Sequence, residues 1–126
     1  PERVQADRTR FGPLLESFVL AELIKLISAR DERYQLFHFR DKERNEVDIV
    51  IEDEQARVVG IEVKAAATVT AADFNGLRKL AFASGGNFTA GLVLYDHDQT
   101  LSFGDRLWAV PVSSLWAGRP QDASQN

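Results

Sequence analysis

Four charged residues stand in apolar surroundings, where their side chains would be able to do chemistry. Glu62 and Lys64 share one face of the run RVVGIEVKA, because side chains two residues apart on a strand point the same way. Asp48 lies within the alternating run EVDIVIE, and Glu16 lies in the apolar stripe of LLESFVLAELIKLISA. Burying a charge is costly unless the charge is paired or bound to a metal. These residues are therefore the first candidates for a functional site.

Convergence of the four residues would create a metal site. The two strand-like runs are separated by a short polar turn, so we expect an antiparallel hairpin that brings Asp48 close to Glu62 and Lys64. Packing the first helix on that face adds Glu16. Carboxylates at that density repel one another unless a hard cation lies between them, and Mg²⁺, with Mn²⁺ as its substitute, suits oxygen ligands of this kind. Lys64 beside the metal would orient or help deprotonate a bound water, or balance the charge of a phosphate.

Each of these residues also has a simpler explanation. Glu16 falls in the first turn of the predicted helix, where the helix dipole favours a carboxylate. Asp48 fits a strand face in contact with water, and Glu62 with Lys64 fits an ordinary ion pair. A buried ion network around Lys64 would account for the whole cluster without a metal. The joint pattern favours the metal site.

The elements that position these residues follow from the spacing of apolar side chains. A helix is predicted over about 13–29, with Pro13 at its first position, where the missing N–H group costs nothing. A second helix is predicted to follow Thr70 as its N-cap and to end at Gly85. The predicted strands cover 34–40, 46–52, 57–65 and 88–95, the second helix covers about 71–84, and TLSF pairs with RLWAV as a final hairpin. This order predicts an α/β fold with an αβββαβ core, a mixed central sheet flanked by helices and a C-terminal β-hairpin.

The strand EVDIVIE is predicted to alternate strictly along its length. Such alternation assigns its residues to two faces, with Val47, Ile49 and Ile51 on one and Glu46, Asp48, Val50 and Glu52 on the other. The strand RVVGIEVKA is β-branched and mostly apolar, so we expect it to be well buried.

Composition narrows the class of protein. The chain has 126 residues, of which 44% are hydrophobic, and this fits one domain with a sizeable core. The net charge of −4 argues against a broad nucleic-acid-binding face, and the absence of cysteine excludes disulfides and thiolate chemistry. No apolar run reaches the roughly 20 residues of a membrane span, and no signal peptide opens the chain, so we expect a cytoplasmic protein.

The domain boundaries are predicted from patterning at the two ends. Residues 1–10 are polar and unpatterned and are expected to form a linker or arm, while 119–126 are expected to form a tail. The domain proper is predicted over 11–118. Because methionine is absent and the chain begins with Pro1, we expect a piece of a longer protein.

The ordered set Glu16, Asp48, Glu62-Val63-Lys64 on this element order resembles the PD-(D/E)XK nuclease superfamily. More specifically, the chain is similar to the domain of unknown function that lies C-terminal to many bacterial and archaeal AAA-type ATPases. The resemblance covers about 11–117 and is carried by FGPLLESFVLAEL, FHFRDKERNEVDIVIE, VVGIEVKAAATVT, GLRKL and GLVLYDHDQTLSFGDRLWAVPVSSLW. Two features depart from the superfamily pattern: Val47 stands in place of the motif's proline, and the second predicted helix has no Gln-x-x-x-Tyr.

The resemblance implies residue roles and a function. Asp48 and Glu62 would hold Mg²⁺ with the Val63 carbonyl, Glu16 would complete the site, and Lys64 would be the catalytic lysine. The reaction would be hydrolysis of nucleic-acid phosphodiester bonds, with DNA the favoured substrate. A covalently linked AAA-type ATPase domain would bind ATP outside this chain. The alternative function is a non-catalytic module of that ATPase that recognises nucleic acid or protein.

Basic residues near the predicted site are candidates for phosphate contacts. Arg40, Lys42 and Arg44 surround the turn before the Asp48 strand, and Arg78 lies on the second predicted helix. The turn also contains Asp41 and Glu43, so a solvated hairpin turn is an alternative interpretation.

Overall fold

A central sheet of six strands carries helices on both of its faces. The structure is a computed structural model that describes residues 2–117, with side chains described over 12–115. In chain order the elements are α1 (Glu2–Ser28), β1 (Tyr34–Arg40), β2 (Glu46–Asp53), β3 (Val58–Lys64), α2 (Asn75–Ser84), β4 (Phe88–Tyr95), β5 (Leu101–Ser102), β6 (Leu107–Pro111) and α3 (Ser114–Ala117). None of the helices in the described part of the chain is long and apolar enough to span a membrane.

The sheet is mixed, as predicted. Its strand order is β1-β2-β3-β4-β6-β5, in which β3–β4 and β4–β6 are parallel and the other neighbours are antiparallel. The parallel pair β3 and β4 requires a crossover, and α2 supplies it. The final hairpin of β5 with β6 is also confirmed, because Leu101 pairs with Ala109 and Ser102 with Trp108.

Two apolar clusters, one on each face of the sheet, hold the layers together. On the α1 face, Val19 and Leu23 pack with Ile49, Ile61 and Leu94. The α2 face is built from the helix residues Phe74, Leu77 and Leu80 and from strand residues that include Val47, Val50, Val58 and Val93. The predicted α/β architecture with helices on both sides of the sheet is therefore confirmed.

The first helix begins earlier than its apolar stripe indicates. It runs from Glu2, so Pro13 lies inside the helix, and the predicted start at Pro13 is wrong. The segment 1–10, predicted as a linker or arm, is helical from Glu2 onward. Its Glu, Arg, Gln and Ala residues have good helix propensity, so backbone preference continues the helix where no apolar stripe indicates one. The tail predicted over 119–126 lies outside the described residues.

The second helix starts with a tighter turn than predicted. Residues Ala71–Phe74 form a 3₁₀ turn after Thr70, and the α-helix itself begins at Asn75. The predicted end is confirmed, because Gly85 follows the helix with a φ of 57°, a left-handed conformation that glycine adopts without strain.

A β-bulge overturns the predicted alternation in β2. Between Phe37 and Phe39 the strand β1 advances by two residues, while β2 advances by three, from Val50 to Val47. Because of the extra residue, Val47 and Val50 point to the same face of the sheet and belong to the α2-face cluster. Ile49 belongs to the α1-face cluster. The predicted grouping of Val47 with Ile49 is therefore wrong, because a bulge shifts the side-chain alternation that a regular strand would keep.

Candidate functional site

Asp48 and Glu62 meet where the ladder between β2 and β3 opens. The regular pairs run from Glu52 with Val58 to Ile49 with Ile61. Beyond them, the backbone N–H of Asp48 donates to Glu62 Oε1 over 2.6 Å, and the N–H of Val63 donates to Asp48 Oδ2 over 2.9 Å. Two carboxylates thus accept the N–H groups at this end of the hairpin, and the predicted approach of Asp48 to Glu62 is present.

The bulge presents Asp48 to helix α1. The bulged pair Asp48 and Ile49 lies opposite His38 of β1, and all three line one cavity together with Glu16. The cavity has a volume of about 410 Å³ and lies between α1 and the strands β1 and β2. Glu16 and Asp48 therefore converge as predicted, and His38 joins them.

The carboxylates of this site hold protons more tightly than ordinary ones. Burial and the neighbouring Asp48 carboxylate raise the pKa of Glu62 to about 8. Burial also raises the pKa of Asp48, against the opposing effect of the Val63 N–H bond, and burial with the charge of Asp48 raises the pKa of Glu16. Glu46 contributes a further negative charge that raises all three pKa values, whereas His38 lowers those of Asp48 and Glu16. Mutual proximity and burial of this kind make the site a place where a proton or a cation is favoured.

The raised pKa of Glu62 predicts that the domain loses stability as the pH rises. Between the ordinary value of 4.5 and about 8, the folded protein holds a proton that the unfolded chain releases. This contribution is complete below that range, declines across it and is absent above it. We expect the melting temperature to fall as the pH rises across this range, and Glu62→Gln to flatten the dependence. Thermal denaturation by circular dichroism at several pH values, without divalent ions, measures this, and an unchanged slope in Glu62→Gln would contradict the assignment.

Lys64 contacts the start of the second helical segment. Its ammonium lies 2.6 Å from Asp73 Oδ2, and the same oxygen accepts the backbone N–H of Thr70 over 2.7 Å. The Asp73 pKa is lowered, despite the opposing effect of burial, by these bonds and by the charge of Lys64. Lys64 therefore lies on the same strand as Glu62, as predicted, while its charge is balanced by a residue that the sequence pattern did not single out for this role.

The donor set fits a hard divalent cation in its chemistry. Asp48 and Glu62 would hold the ion. Glu16 adds a third carboxylate: the charge of Asp48 raises the pKa of Glu16, and the charge of Glu16 raises the pKa of Glu62. Within the part of the chain that the structure describes, no group of three His, Asp or Glu side chains is arranged to hold a metal. Mg²⁺ commonly uses one or two carboxylates and keeps several waters, so a pair of carboxylates with raised pKa values is an adequate protein contribution.

The predicted phosphate-contacting residues lie around the turn after β1 and on α2. Arg40 is 3.6 Å from Glu46, and the guanidinium of Arg78 donates to the Ala71 carbonyl over 2.8 Å. Lys42 and Arg44 are exposed in the turn itself. An ion pair of 3.5 Å between Lys79 and Glu43 joins this turn to α2. The turn and the helix thus lie beside each other at the start of β2.

Sequence reasoning missed two members of this neighbourhood. His38 lines the cavity, and its Nε2 lies 3.8 Å from Glu46 Oε1. Its position opposite Asp48 depends on the bulge, for which strand alternation gives no signal. Asp73 follows Thr70 by three residues, and that spacing does not indicate its contact with Lys64.

Comparison with known proteins gives a family without a known activity. Searches of curated proteins and of solved structures found no match. One family model, the domain of unknown function DUF4143, matches residues 11–115. This match covers most of the chain, including α1 from residue 11 onward, all of α2 and all six strands. The chain therefore belongs to the DUF4143 family.

Proposed function

We propose that this domain is a Mg²⁺-dependent, nuclease-like domain that hydrolyses nucleic-acid phosphodiester bonds. The observation that supports it best is the opened end of the β2–β3 ladder. There Glu62 accepts the backbone N–H of Asp48, Asp48 accepts the backbone N–H of Val63, and the pKa of Glu62 is raised to about 8. Two carboxylates held in this way, of which Asp48 lines the cavity, would suit a hard cation. The resemblance to the PD-(D/E)XK superfamily supports the same assignment on the same residues.

The residues of the site have different roles in the proposed reaction. A bound Mg²⁺ would polarise the phosphodiester and lower the pKa of a bound water. Asp48 and Glu62 hold their carboxylates in place through backbone N–H bonds, and Glu16 adds negative charge from α1. Lys64 supplies a positive charge for the phosphate, and for this its ammonium has to leave Asp73.

The basic residues near the site supply the nucleic-acid contacts in this proposal. Lys42 and Arg44 lie on an exposed turn beside α2, and Arg78 lies on that helix. Arg40 is exposed at the end of β1. DNA is the favoured substrate. The proposal includes a cytoplasmic location. The resemblance described above adds a covalent link to an AAA-type ATPase domain.

A second candidate is a non-catalytic module that recognises nucleic acid or protein. It is favoured by the ion pair of Lys64 with Asp73. In this pair the charge of Lys64 is balanced by Asp73 and not by Asp48 or Glu62. It is also favoured by the absence of a three-residue metal cluster among the described residues. Under this proposal the carboxylates of Glu16, Asp48 and Glu62 form part of a binding surface, and divalent ions do not bind there specifically.

Metal binding separates the two candidates. We expect a Mn²⁺ titration into the millimolar range to broaden the backbone amide signals of Asp48, Glu62 and Val63 selectively. The effect should disappear in Asp48→Asn, because the amide keeps an oxygen for the Val63 N–H but loses the charge that binds the ion. Glu52→Gln, on the same strand but away from the opened end of the ladder, is the control and should broaden like the wild type. Absence of selective broadening in the wild-type protein would favour the recognition module.

A further inference from the structure

The cavity beside the carboxylates has an apolar part that the proposed chemistry does not use. Its polar and charged lining residues are Glu16, Ser17, His38 and Asp48, and its apolar lining residues are Leu20, Ile24, Leu36, Phe37 and Ile49. Leu20 and Ile24 lie one turn apart on α1 and are 37% and 49% exposed. Large apolar side chains thus remain accessible directly beside the candidate metal ligands.

The lining of the cavity suits a neutral ligand group. Its volume of about 410 Å³ lies in the range of small-molecule binding sites, which are mostly apolar with a few polar groups. None of its lining residues is a lysine or an arginine, and all of them lie in the described part of the chain. A phosphate would find neither a lysine nor an arginine in this lining and would face the carboxylates of Glu16 and Asp48. A flat and largely apolar group would be covered by Leu20, Ile24 and Leu36.

We propose that this cavity takes an unpaired nucleobase of the strand whose phosphodiester lies at the carboxylates. The inference rests on the proposed function, and it makes single-stranded nucleic acid the substrate class. A nucleobase has apolar faces and polar edges, and the cavity offers apolar side chains together with the Ser17 hydroxyl and the His38 imidazole as hydrogen-bonding groups. A base within a duplex is stacked and paired, so it has to be unpaired before it enters a pocket of this kind.

Removing the bases from a strand without changing its charge tests this inference. We expect the protein to bind a labelled single-stranded oligonucleotide about tenfold more tightly than an abasic strand of equal length, since stacking a base is worth enough for such a difference. Fluorescence anisotropy at fixed salt, with Mg²⁺ present and over times too short for cleavage, measures both dissociation constants. Equal affinity for the two strands would overturn the inference.

Substitutions of exposed apolar residues test whether the preference for the intact strand comes from this cavity. The double variant Leu20→Ala/Ile24→Ala should bind the intact strand as weakly as the abasic strand. Leu14→Ala is the matched control on the same helix, because Leu14 is 68% exposed and does not line the cavity. Phe82→Ala is a second control on α2, where Phe82 is 90% exposed. If a control variant no longer binds the intact strand more tightly than the abasic strand, the base does not bind in this cavity. The same conclusion follows if the double variant still prefers the intact strand.

Failure of this inference can be distinguished from failure of the proposed function. Hydrolysis of bis(p-nitrophenyl) phosphate by the wild-type protein reports the proposed chemistry, because this phosphodiester contains no nucleobase. Hydrolysis without discrimination between the strands overturns the base site alone. Discrimination without hydrolysis supports the base site and overturns the nuclease. Binding of neither strand, with tight binding of an apolar peptide at Leu20 and Ile24, overturns the base site in favour of a protein-docking groove.

Discussion

Replacing Gly76 with alanine is expected to lower the free energy of unfolding by about 3 kcal/mol or more. A Cβ atom at this position would overlap the carbonyl oxygen of Glu46 and would lie 2.9 Å from its carbonyl carbon. The obstacle is backbone on both sides, at the start of α2 and at the start of β2, so a side-chain rotation cannot relieve it. Chemical denaturation followed by circular dichroism measures the loss.

The control for this prediction is Gly86→Ala. Nothing lies within 4 Å of a Cβ atom built at Gly86, so the substitution should change the unfolding free energy little. Because Gly76 contacts the strand two residues before Asp48, Gly76→Ala should also weaken Mn²⁺ binding if the variant remains folded. Equal stability of the two variants would show that α2 does not approach β2 as closely as the structure has it.

Glu62→Gln and Asp48→Asn are each expected to reduce Mn²⁺-dependent hydrolysis of bis(p-nitrophenyl) phosphate by at least about a hundredfold. Both substitutions keep the size of the side chain and an oxygen that accepts the backbone N–H bond at the opened ladder. They remove the negative charge that the cation requires. Initial rates at saturating Mn²⁺ measure the effect.

Two comparisons make the hydrolysis result interpretable. Glu52→Gln removes a carboxylate from the same strand, in the regular part of its ladder with β3, and should keep the wild-type rate. Lys64→Ala should lower the rate while keeping the Mn²⁺ broadening, since Lys64 acts on the phosphate in the proposed reaction. If the rates of Asp48→Asn and Glu62→Gln equal that of the wild type, the hydrolysis belongs to another site or to a contaminating enzyme.

Much of the fold could be predicted from local patterns. The ranges of β1, β2, β3 and β4 and the end of α2 at Gly85 follow from apolar spacing, turn residues and glycine. The start of α1 could not be predicted from the apolar stripe, because the residues before Pro13 continue the helix through backbone propensity.

The candidate site was predicted in part, for a physical reason that differs from residue to residue. The approach of Asp48 to Glu62 follows from the short turn between β2 and β3, since a short connection leaves an antiparallel hairpin as the simplest pairing. The partner of Lys64 does not follow from any such rule. A long, flexible side chain reaches several carboxylates, and the 3₁₀ turn that carries Asp73 decides which one it contacts.

The sequence by itself determined the order of the elements, the mixed α/β architecture and the identity of the carboxylates that meet beside the first helix. These features depend on short-range spacing and on the burial of apolar stripes, which a chain carries without reference to its neighbours. Only the tertiary structure decided that Asp48, Ile49 and His38 line one cavity. The reason is the bulge between β1 and β2, because an extra residue on one strand is defined only by the register of the other.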